Sequence, residues 1–323
     1  MQTRKLGYTD LNLSVVGLGA WAIGGGNYSY GWGPQDDEES IKTIRGAIDN
    51  GINWIDTAPV YGCGRSETVV GKAIKGIRDK VFIATKCGLV WNEKREIYGR
   101  LKKDSVRREV EDSLSRLGID VIDLYQIHWP DPEKDIEEAW GTVTELVKEG
   151  KIRNIGVSNF TIEQIKRVQS INPLGSLQPP YSMVRREVEK ELLGYCAEND
   201  IGVIVYSPLQ SGILTGKFTP EKIKELPEDD WRLTKNTHFQ EPLLTPNLKL
   251  VEGLREIAKE KGKTVAQIAI AWTLRRCEVT SAIVGARHPQ QVIENVGAGE
   301  LVIDEEDKTR IDGLLDEWEK ALP

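Results

Sequence analysis

The sequence has little cysteine and no long apolar run. Its four cysteines, Cys63, Cys87, Cys196 and Cys277, are scattered along 323 residues and form no Cys-x-x-Cys pair. This usage argues against a disulfide scaffold and a zinc site, and it predicts a reduced, cytoplasmic chain. No stretch approaches the roughly 18 consecutive apolar residues of a membrane helix. The first residues also lack the apolar segment of a secretory signal.

Histidine is equally scarce, and basic residues are outnumbered by acidic ones. The three histidines, His128, His238 and His288, lie far apart, and no His-Glu-x-x-His motif occurs, so no metal site is predicted. A formal net charge of −7 argues against a nucleic acid or an anionic membrane surface as the partner. These deficits leave a globular protein that acts on small molecules.

Eight apolar runs alternate with stretches of helical periodicity, which predicts a parallel sheet. Two closures are compatible with this alternation: an open doubly wound sheet and a (β/α)8 TIM barrel. The even spacing and the absence of a linker favour one barrel domain over residues 1–323, with extra loops and helices on its C-terminal face. A long segment, 208–246, is predicted to be an elaborated loop on that face. The predicted strands are 13–18, 52–55, 81–85, 121–127, 152–157, 174–177, 201–205 and 282–284.

Helix ends are marked by glycine and by short polar residues. Gly51 and Gly118 each follow a stripe of apolar residues at helical spacing, so each is predicted to end a helix. Asp104 is predicted to cap the start of the second of these helices.

Polar side chains follow most of the predicted strands, and in a barrel these positions share one rim. Asp56 follows the second strand, Lys86 the third and His128 the fourth, while Tyr61 lies shortly after Asp56. A tyrosine, with a pKa of about 10, is a poor proton donor unless its phenolate is stabilised. A neighbouring ammonium provides that stabilisation, and a carboxylate holds the ammonium in place. The set predicts a general acid for a carbonyl oxygen, with hydride supplied by a cofactor.

The order and spacing of these motifs resemble the aldo-keto reductase family from end to end. The resemblance rests on Gly-Leu-Gly-Ala-Trp21, Asp56-Thr-Ala-Pro-Val-Tyr61-Gly, Ala-Thr-Lys86, Gln-Ile-His128, Gly-Val-Ser158-Asn159-Phe, Tyr206-Ser-Pro-Leu and Ile-Val-Gly285-Ala-Arg287. The run Gly-Ile-Leu-Thr-Gly-Lys217 is similar to the bacterial branch related to the potassium-channel β subunits.

The resemblance implies roles for individual residues. Tyr61 would protonate the substrate oxygen, Lys86 would lower the pKa of Tyr61, Asp56 would pair with Lys86, and His128 would orient the carbonyl. Tyr206 would stack on the nicotinamide, and Ser158, Asn159 and Gln178 would hold its carboxamide. The pyrophosphate would lie along the loop after the seventh strand, and the adenosine end beside the loop after the eighth. The implied cofactor residues are Gly19, Ala20, Trp21, Asp56, Ser158, Asn159, Gln178, Tyr206, Ser207, Pro208, Leu209, Gly212, Leu214, Lys217, Gly285, Arg287, Gln291, Glu294 and Asn295.

The chain departs from the steroid and aldose reductase branch at two positions. Gly285 and Gln291 stand where that branch has a lysine and an arginine, so contact with a ribose 2′-phosphate falls to Arg287. The implied cofactor is NADPH, with NADH also possible.

Tryptophans in the loops after the strands predict an apolar pocket for the carbonyl substrate. The predicted pocket residues are Trp21, Trp32, Trp91, Trp129 and Trp231.

Two other interpretations remain open at this point. Lys86 in a barrel could form a Schiff base, as in an aldolase, although the Tyr206 and Gly285 motifs then have no role. The chain could also be a nucleotide-binding sensor or regulatory subunit with little turnover. The main prediction is reversible, NADPH-dependent reduction of aldehydes and ketones.

Overall fold

Eight parallel strands close into a barrel in the computed structural model, which describes residues 1–26, 28, 30–228 and 230–322. The barrel order is β10-β11-β12-β3-β4-β5-β8-β9, and β10 pairs with β9 to complete the ring. The pairing of Leu18 with Val284 joins the first barrel strand to the last. The predicted (β/α)8 barrel is therefore confirmed, and an open sheet is excluded. The strands are β1 (Thr3–Lys5), β2 (Asn12–Ser14), β3 (Val16–Gly19), β4 (Trp54–Asp56), β5 (Phe82–Cys87), β6 (Leu89–Trp91), β7 (Ile97–Gly99), β8 (Ile122–Ile127), β9 (Ile152–Ser158), β10 (Ser176–Gln178), β11 (Gly202–Tyr206) and β12 (Val279–Gly285).

Helices surround the barrel, and most of them contribute buried apolar residues to the core between helices and strands. Gly51 (φ +87°) and Gly118 (φ +65°) follow α1 and α3 in the left-handed conformation, as predicted. None of the helices in the described ranges is both long and apolar enough to span a bilayer. The helices are α1 (Asp37–Asp49), α2 (Arg65–Ile74), α3 (Lys103–Leu117), α4 (Ile136–Lys148), α5 (Ile162–Gln169), α6 (Leu192–Glu198), α7 (Pro220–Lys224), α8 (Trp231–Thr234), α9 (Leu244–Glu260), α10 (Val265–Leu274), α11 (Pro289–Val296) and α12 (Glu305–Lys320).

The end of the barrel opposite the rim is closed by the hairpin β1–β2. Leu6, Leu11 and Leu13 pack inside the barrel against Trp54, in a core separate from the one beneath the helices. Gly17 is required here, because a Cβ at this position would lie 2.1 Å from the Trp54 indole. The hairpin makes this end a packed plug, so ligands reach the barrel only from the rim.

The predicted first strand, 13–18, is wrong in extent. Residues 12–14 pair with β1 in the hairpin, and the barrel strand begins at Val16. The break has a side-chain cause: the Ser14 backbone N–H donates to Asn53 Oδ1 at 2.7 Å, and the Ser14 hydroxyl donates to the Val16 carbonyl. These bonds provide partners for the backbone N–H of Ser14 and the carbonyl of Val16, where the strand is interrupted.

Asp104 does not cap α3, contrary to the prediction. The helix begins at Lys103, two residues earlier than a cap at Asp104 requires, Lys102 is its N-cap, and the Asp104 carboxylate pairs with Arg100 at 2.9 Å. The hairpin β6–β7 and the helix α11 have no counterpart in the sequence-based prediction. The segment 208–246 is partly helical, since α7, α8 and two 3₁₀ turns interrupt it.

Candidate active site

The carboxyl ends of three neighbouring strands bring Asp56, Lys86 and His128 together. Asp56 is the last residue of β4, Lys86 lies near the end of β5, and His128 follows β8. Tyr61 lies in the turn between β4 and α2. Because β4, β5 and β8 are adjacent in the barrel, chain segments 72 residues apart meet at one point of the rim.

The Lys86 ammonium is the centre of this cluster. It donates to Asp56 Oδ2 at 2.7 Å, to the Thr57 carbonyl at 2.9 Å and to the Tyr61 hydroxyl at 3.5 Å. Its side chain has no exposed surface. An ammonium has three donors, and all three are engaged, so Lys86 is held rigidly beside the phenol.

Burial governs the proton affinities of the cluster. It raises the pKa of Tyr61 well above its ordinary value, and the charge of Asp56 adds to this effect. It lowers the pKa of Lys86, while the adjacent Asp56 opposes that shift. The implied lowering of the Tyr61 pKa by Lys86 stays a prediction, since burial and the charge of Asp56, which both raise the pKa, outweigh it in this structure. Tyr61 is protonated here and has a proton to give.

His128 faces the Tyr61 ring edge-on, with ring centroids 5.8 Å apart. Burial and the nearby Lys86 charge lower the pKa of His128 well below its ordinary value. The imidazole is therefore neutral at physiological pH, and it can donate one hydrogen bond and accept another.

The residues expected at the carboxamide are linked to one another. Tyr206 donates from its hydroxyl to Asn159 Oδ1 at 2.8 Å, and Asn159 donates from Nδ2 to the His128 carbonyl at 3.1 Å. Ser158 donates to the Gln178 carbonyl at 2.9 Å. Asn159 has φ +65°, a conformation that is uncommon for a residue other than glycine and is often found at functional sites.

One cavity of about 880 Å³ opens at this rim and contains most of the predicted residues. It extends from Tyr61 and His128 past Tyr206 to the loop after β12. Predicted cofactor residues on its wall are Gly19, Trp21, Asp56, Ser158, Asn159, Gln178, Tyr206, Ser207, Pro208, Leu209, Gly212, Lys217, Gly285, Arg287, Gln291, Glu294 and Asn295.

Two predicted cofactor residues do not line the cavity. Ala20 has no exposed surface, and its carbonyl accepts a hydrogen bond from Ser66. Leu214 is fully buried in the core beneath the helices. Strand and loop alternation turns both side chains inward, which motif matching does not reveal. Their side chains lie outside the cavity, and their contact with a cofactor stays a prediction.

The loop after β11 has an unusual backbone. Ser207 (φ +57°), Gln210 (φ +43°), Ser211 (φ +59°) and Gly212 (φ +98°) are all left-handed. Leu209 (φ −97°) is right-handed and is followed by the left-handed Gln210, and a pair of this kind turns neighbouring N–H groups toward one side and forms a concavity suited to anions. Lys217 closes the loop through an ion pair with Glu294 at 2.8 Å.

Two guanidinium groups lie at the far end of the cavity. Arg287 donates from Nε to Gln35 Oε1 at 2.7 Å and from Nη2 to the Pro34 carbonyl. Arg232 is held by Asp230 at 2.6 Å and lies 5.1 Å from the Trp32 ring centroid. The charge of Arg232 adds to burial in lowering the pKa of Arg287. Sequence reasoning missed Arg232, although it directly follows a predicted pocket residue, Trp231.

An aromatic wall flanks Tyr61. Trp21 lies 5.4 Å from Trp32 and 5.2 Å from Trp231 between ring centroids, and Trp129 stands at the cavity mouth. Trp91 does not line the cavity, contrary to the prediction, because β6 carries it outward along the hairpin. Aromatic residues of the wall that the sequence analysis missed are Tyr28, Tyr30, Tyr98 and Phe218.

Metal ligands are not grouped in the described parts of the chain: no set of three or more His, Cys, Asp or Glu side chains there could hold an ion. The titratable cluster is instead a carboxylate, an ammonium, a phenol and an imidazole.

Comparison with known proteins assigns the fold and its site to a family. The model of the aldo/keto reductase family matches residues 15–316. The NADH-specific methylglyoxal reductase of Escherichia coli is 38% identical over 336 aligned positions, covering 100% of this chain and 99% of that protein. The glycerol dehydrogenase AKR11B4 from Gluconobacter oxydans has a TM-score of 0.90 and 38% identity, with 100% of this chain and 97% of that chain covered.

A further solved structure, an aldo-keto reductase from Klebsiella pneumoniae in complex with NADPH, has a TM-score of 0.74 and 28% identity, covering 97% of this chain and 95% of that one. The branch of the family related to the potassium-channel β subunits stays a prediction. With its closed barrel and its matched length, the chain belongs to the aldo/keto reductase family and is an NAD(P)H-dependent oxidoreductase.

Proposed function

We propose that this protein reduces aldehydes and ketones to alcohols with NADPH, and that Tyr61 is the general acid. The observation that carries the proposal is the Lys86 ammonium, which lies 3.5 Å from the Tyr61 hydroxyl inside a rim cavity. When bound, the nicotinamide supplies hydride to the carbonyl carbon. Tyr61 gives its proton to the carbonyl oxygen, and the reverse transfers oxidise the alcohol.

The surroundings of Tyr61 suit proton donation. The phenol is protonated before the reaction, because burial raises its pKa. Loss of the proton creates a phenolate 3.5 Å from Lys86, an attraction of about 5 kcal/mol at an effective dielectric constant of about 20. Asp56 and the Thr57 carbonyl keep the ammonium in position. Neutral His128 is placed to donate a hydrogen bond to the carbonyl oxygen and to orient it.

The cavity residues fit a dinucleotide. Tyr206 presents a ring beside the amide groups of Asn159 and Gln178, which suits a flat ring with a carboxamide. The left-handed residues of the loop 207–212 suit a pyrophosphate. Arg232 pairs with Asp230, whereas Arg287 donates to the uncharged Gln35 and Pro34. Among the described residues this end of the cavity therefore offers a guanidinium charge to a 2′-phosphate.

The aromatic wall indicates the substrate class. Trp21, Trp32 and Trp231 form an apolar surface next to Tyr61, and Trp129 and Tyr98 extend it to the mouth. Such a wall favours carbonyl compounds with an apolar or aromatic substituent. The reacting carbonyl itself needs only Tyr61 and His128.

The alternatives have less support. A Schiff base requires a neutral amine with a free lone pair, whereas Lys86 donates three hydrogen bonds and pairs with Asp56. A sensor subunit without turnover does not need the complete cluster of Asp56, Tyr61, Lys86 and His128.

We also infer one domain over residues 1–323, because the hairpin β1–β2 fills the barrel and α9 and α12 share the core between the helices and the strands. A cytoplasmic location stays a prediction from cysteine usage.

The test is oxidation of NADPH by the purified protein with aliphatic, aromatic and α-oxo aldehydes. We expect turnover with several members of the panel and the highest kcat/KM with apolar or aromatic ones. Tight NADPH binding without oxidation by any carbonyl would instead favour the sensor subunit. Borohydride trapping of a covalent adduct on Lys86 would favour the aldolase.

A further inference from the structure

A second cavity, of about 730 Å³, lies beside the turn that follows Tyr61. Its wall includes Cys63 from that turn, Arg65 at the start of α2, Arg95 in the β6–β7 turn and Arg116 in the last turn of α3. The remaining wall comes mainly from the loop 24–35. Three chain segments thus contribute one guanidinium each to a cavity that the proposed reaction does not use.

The lining of this cavity carries positive charge without a carboxylate of its own. Arg65 pairs with Asp37 at 2.6 Å, and Arg116 pairs with Glu67 at 2.7 Å, both acids lying behind the wall. Asp37 is shared with a second cation, Lys72, at 3.6 Å. In these described ion pairs, three cations, Arg65, Lys72 and Arg116, face two carboxylates.

Two of the three guanidinium groups, those of Arg65 and Arg116, are fixed in place. Arg65 donates from Nε and Nη2 to Asp37, and from Nη2 also to the Gln35 carbonyl. Its Nη1 lies against Gly25, where a Cβ would come within 2.0 Å of it. Arg116 donates from Nε to Glu67 at 2.7 Å, and its Nη1 is near Gly64. Planar donors that are already oriented match the oxygens of a phosphate group.

We propose that this cavity is a binding site for a dianionic phosphate group, carried by a small phosphate monoester. Arg65, Arg95 and Arg116 hold the phosphate oxygens, and the glycine-rich wall of the loop 24–35 leaves room for the organic part. The cavity is larger than a free phosphate ion needs, which favours the monoester over inorganic phosphate. A phosphate monoester and inorganic phosphate offer the same anionic oxygens to the arginines, and the experiment distinguishes the two ligands.

Occupancy of this cavity affects the carbonyl site through two elements. Residues 24, 26 and 33–35 line the second cavity, while Trp32 between them lines the first on the side of the aromatic wall. The turn that bears Cys63 follows directly on Tyr61. A bound monoester contacts both elements, so we expect it to change the KM for the carbonyl substrate. This consequence rests on the proposed function, whereas binding itself does not.

The test uses the half-buried Cys63 thiol as a reporter of the cavity. Alkylation by iodoacetamide is followed by peptide mass spectrometry at Cys63 and at the exposed Cys277, with glycerol 3-phosphate, inorganic phosphate or potassium chloride at matched ionic strength. We expect glycerol 3-phosphate to slow alkylation of Cys63 by about tenfold or more at saturation and to leave Cys277 unchanged. Protection by inorganic phosphate at equal or lower concentration would identify the free ion as the ligand of the same site.

Arg95→Gln is the diagnostic variant, because Arg95 lies in an exposed turn where a substitution leaves the barrel intact. It should raise the protecting concentration of glycerol 3-phosphate by about tenfold, the usual loss for one charge-assisted hydrogen bond. Arg100→Gln is the matched control, since Arg100 pairs with the exposed Asp104 and does not line the cavity, and it should behave as the wild type. Three results would overturn the proposal. They are equal protection of Cys63 by glycerol 3-phosphate in Arg95→Gln and the wild type, protection of Cys63 by potassium chloride, and no protection of Cys63 by glycerol 3-phosphate or inorganic phosphate. These measurements need no carbonyl or NADPH, so they do not depend on the proposed reaction.

Discussion

Gln178 donates from Nε2 to Asp56 Oδ1 at 2.8 Å, although the two residues lie 122 positions apart in the chain. Asp56 therefore uses one carboxylate oxygen for Gln178 and the other for Lys86. Gln178 also donates to Gln126 Oε1 at 3.3 Å. Strand β10 thus supports the acid–base cluster of β4 and β5, in addition to any contact that Gln178 makes with a nicotinamide.

We predict that Gln178→Ala lowers kcat for carbonyl reduction by about tenfold or more, since hydrogen bonds to charged groups contribute roughly 1.5–3 kcal/mol. Asp56 would be freer to rotate away from Lys86. Steady-state kinetics with NADPH and an aldehyde measure the effect. A change in cofactor KM with an unaltered kcat would mean that Gln178 acts on the cofactor alone.

Tyr61→Phe should lower the rate of reduction by about 10²–10⁴-fold, the usual contribution of a positioned general acid. The ring, its contact with His128 and the cavity shape are retained, so NADPH should bind as before. Stopped-flow reduction and a fluorescence titration of NADPH separate the two effects. Turnover close to that of the wild type would reject Tyr61 as the proton donor.

The pH dependence should show an alkaline decline and no acid limb near neutrality. His128 has a pKa well below 6.5 and remains neutral at pH 6–8. Tyr61 keeps its proton because its pKa is raised. Burial lowers the pKa of Lys86, so its ammonium loses its proton at a lower pH than that of an ordinary lysine. We expect kcat/KM for reduction to be flat from pH 6 to 8 and then to fall; an inflection near pH 6.5 would contradict the assignment.

Arg287→Ala should weaken NADPH binding much more than NADH binding, by about 10- to 100-fold for NADPH, because only NADPH carries the 2′-phosphate. Arg232→Ala should act in the same direction. Arg310→Ala, which removes an exposed guanidinium paired with Glu260, is the control. Dissociation constants for both cofactors provide the readout, and equal losses for NADPH and NADH would exclude 2′-phosphate recognition by Arg287.

Glu109 should make the protein less stable as pH rises. Its buried carboxyl accepts hydrogen bonds from the Gly88 N–H and the Ser105 hydroxyl, yet burial raises its pKa to about 8. The folded state then holds a proton that the unfolded chain releases above about pH 4.5. Stability should fall between pH 4.5 and 8, by roughly 5 kcal/mol at most.

Glu109→Gln has no titrating proton, and its amide oxygen can accept from the Gly88 N–H while its amide NH₂ donates to the Ser105 hydroxyl. We expect its thermal midpoint to exceed that of the wild type at pH 8 and to match it near pH 5. Parallel pH dependence in the two proteins would show that Glu109 is not the group responsible.

The sequence predicts the barrel and the rim cluster well, because both depend on local patterns. Asp56, Lys86 and His128 each end or follow an apolar run, and parallel strands bring such positions to one rim. The structure places these three side chains and Tyr61 together. Gly51 and Gly118 end their helices as predicted, since a left-handed residue is a local requirement.

Predictions that depend on side-chain direction are less successful. Ala20 and Leu214 belong to matching motifs, but the backbone turns both into the core. Arg232 and the Gln178–Asp56 bond were missed, because they depend on how the long segment after β11 and two distant strands meet. Trp91 was misplaced because the hairpin that carries it has no strong strand signal.

The hairpin that plugs the barrel lies at the opposite pole from the chemistry. Leu6, Leu11 and Leu13 fill the bottom layer around Trp54, while the loops that choose cofactor and substrate lie on the upper rim. Mutations in the packed layer beside the hairpin lie a full strand length away from the catalytic groups at the rim. Exchange of the rim loops can therefore change cofactor and substrate selectivity without altering the packed layer around Trp54 that holds the strands in register.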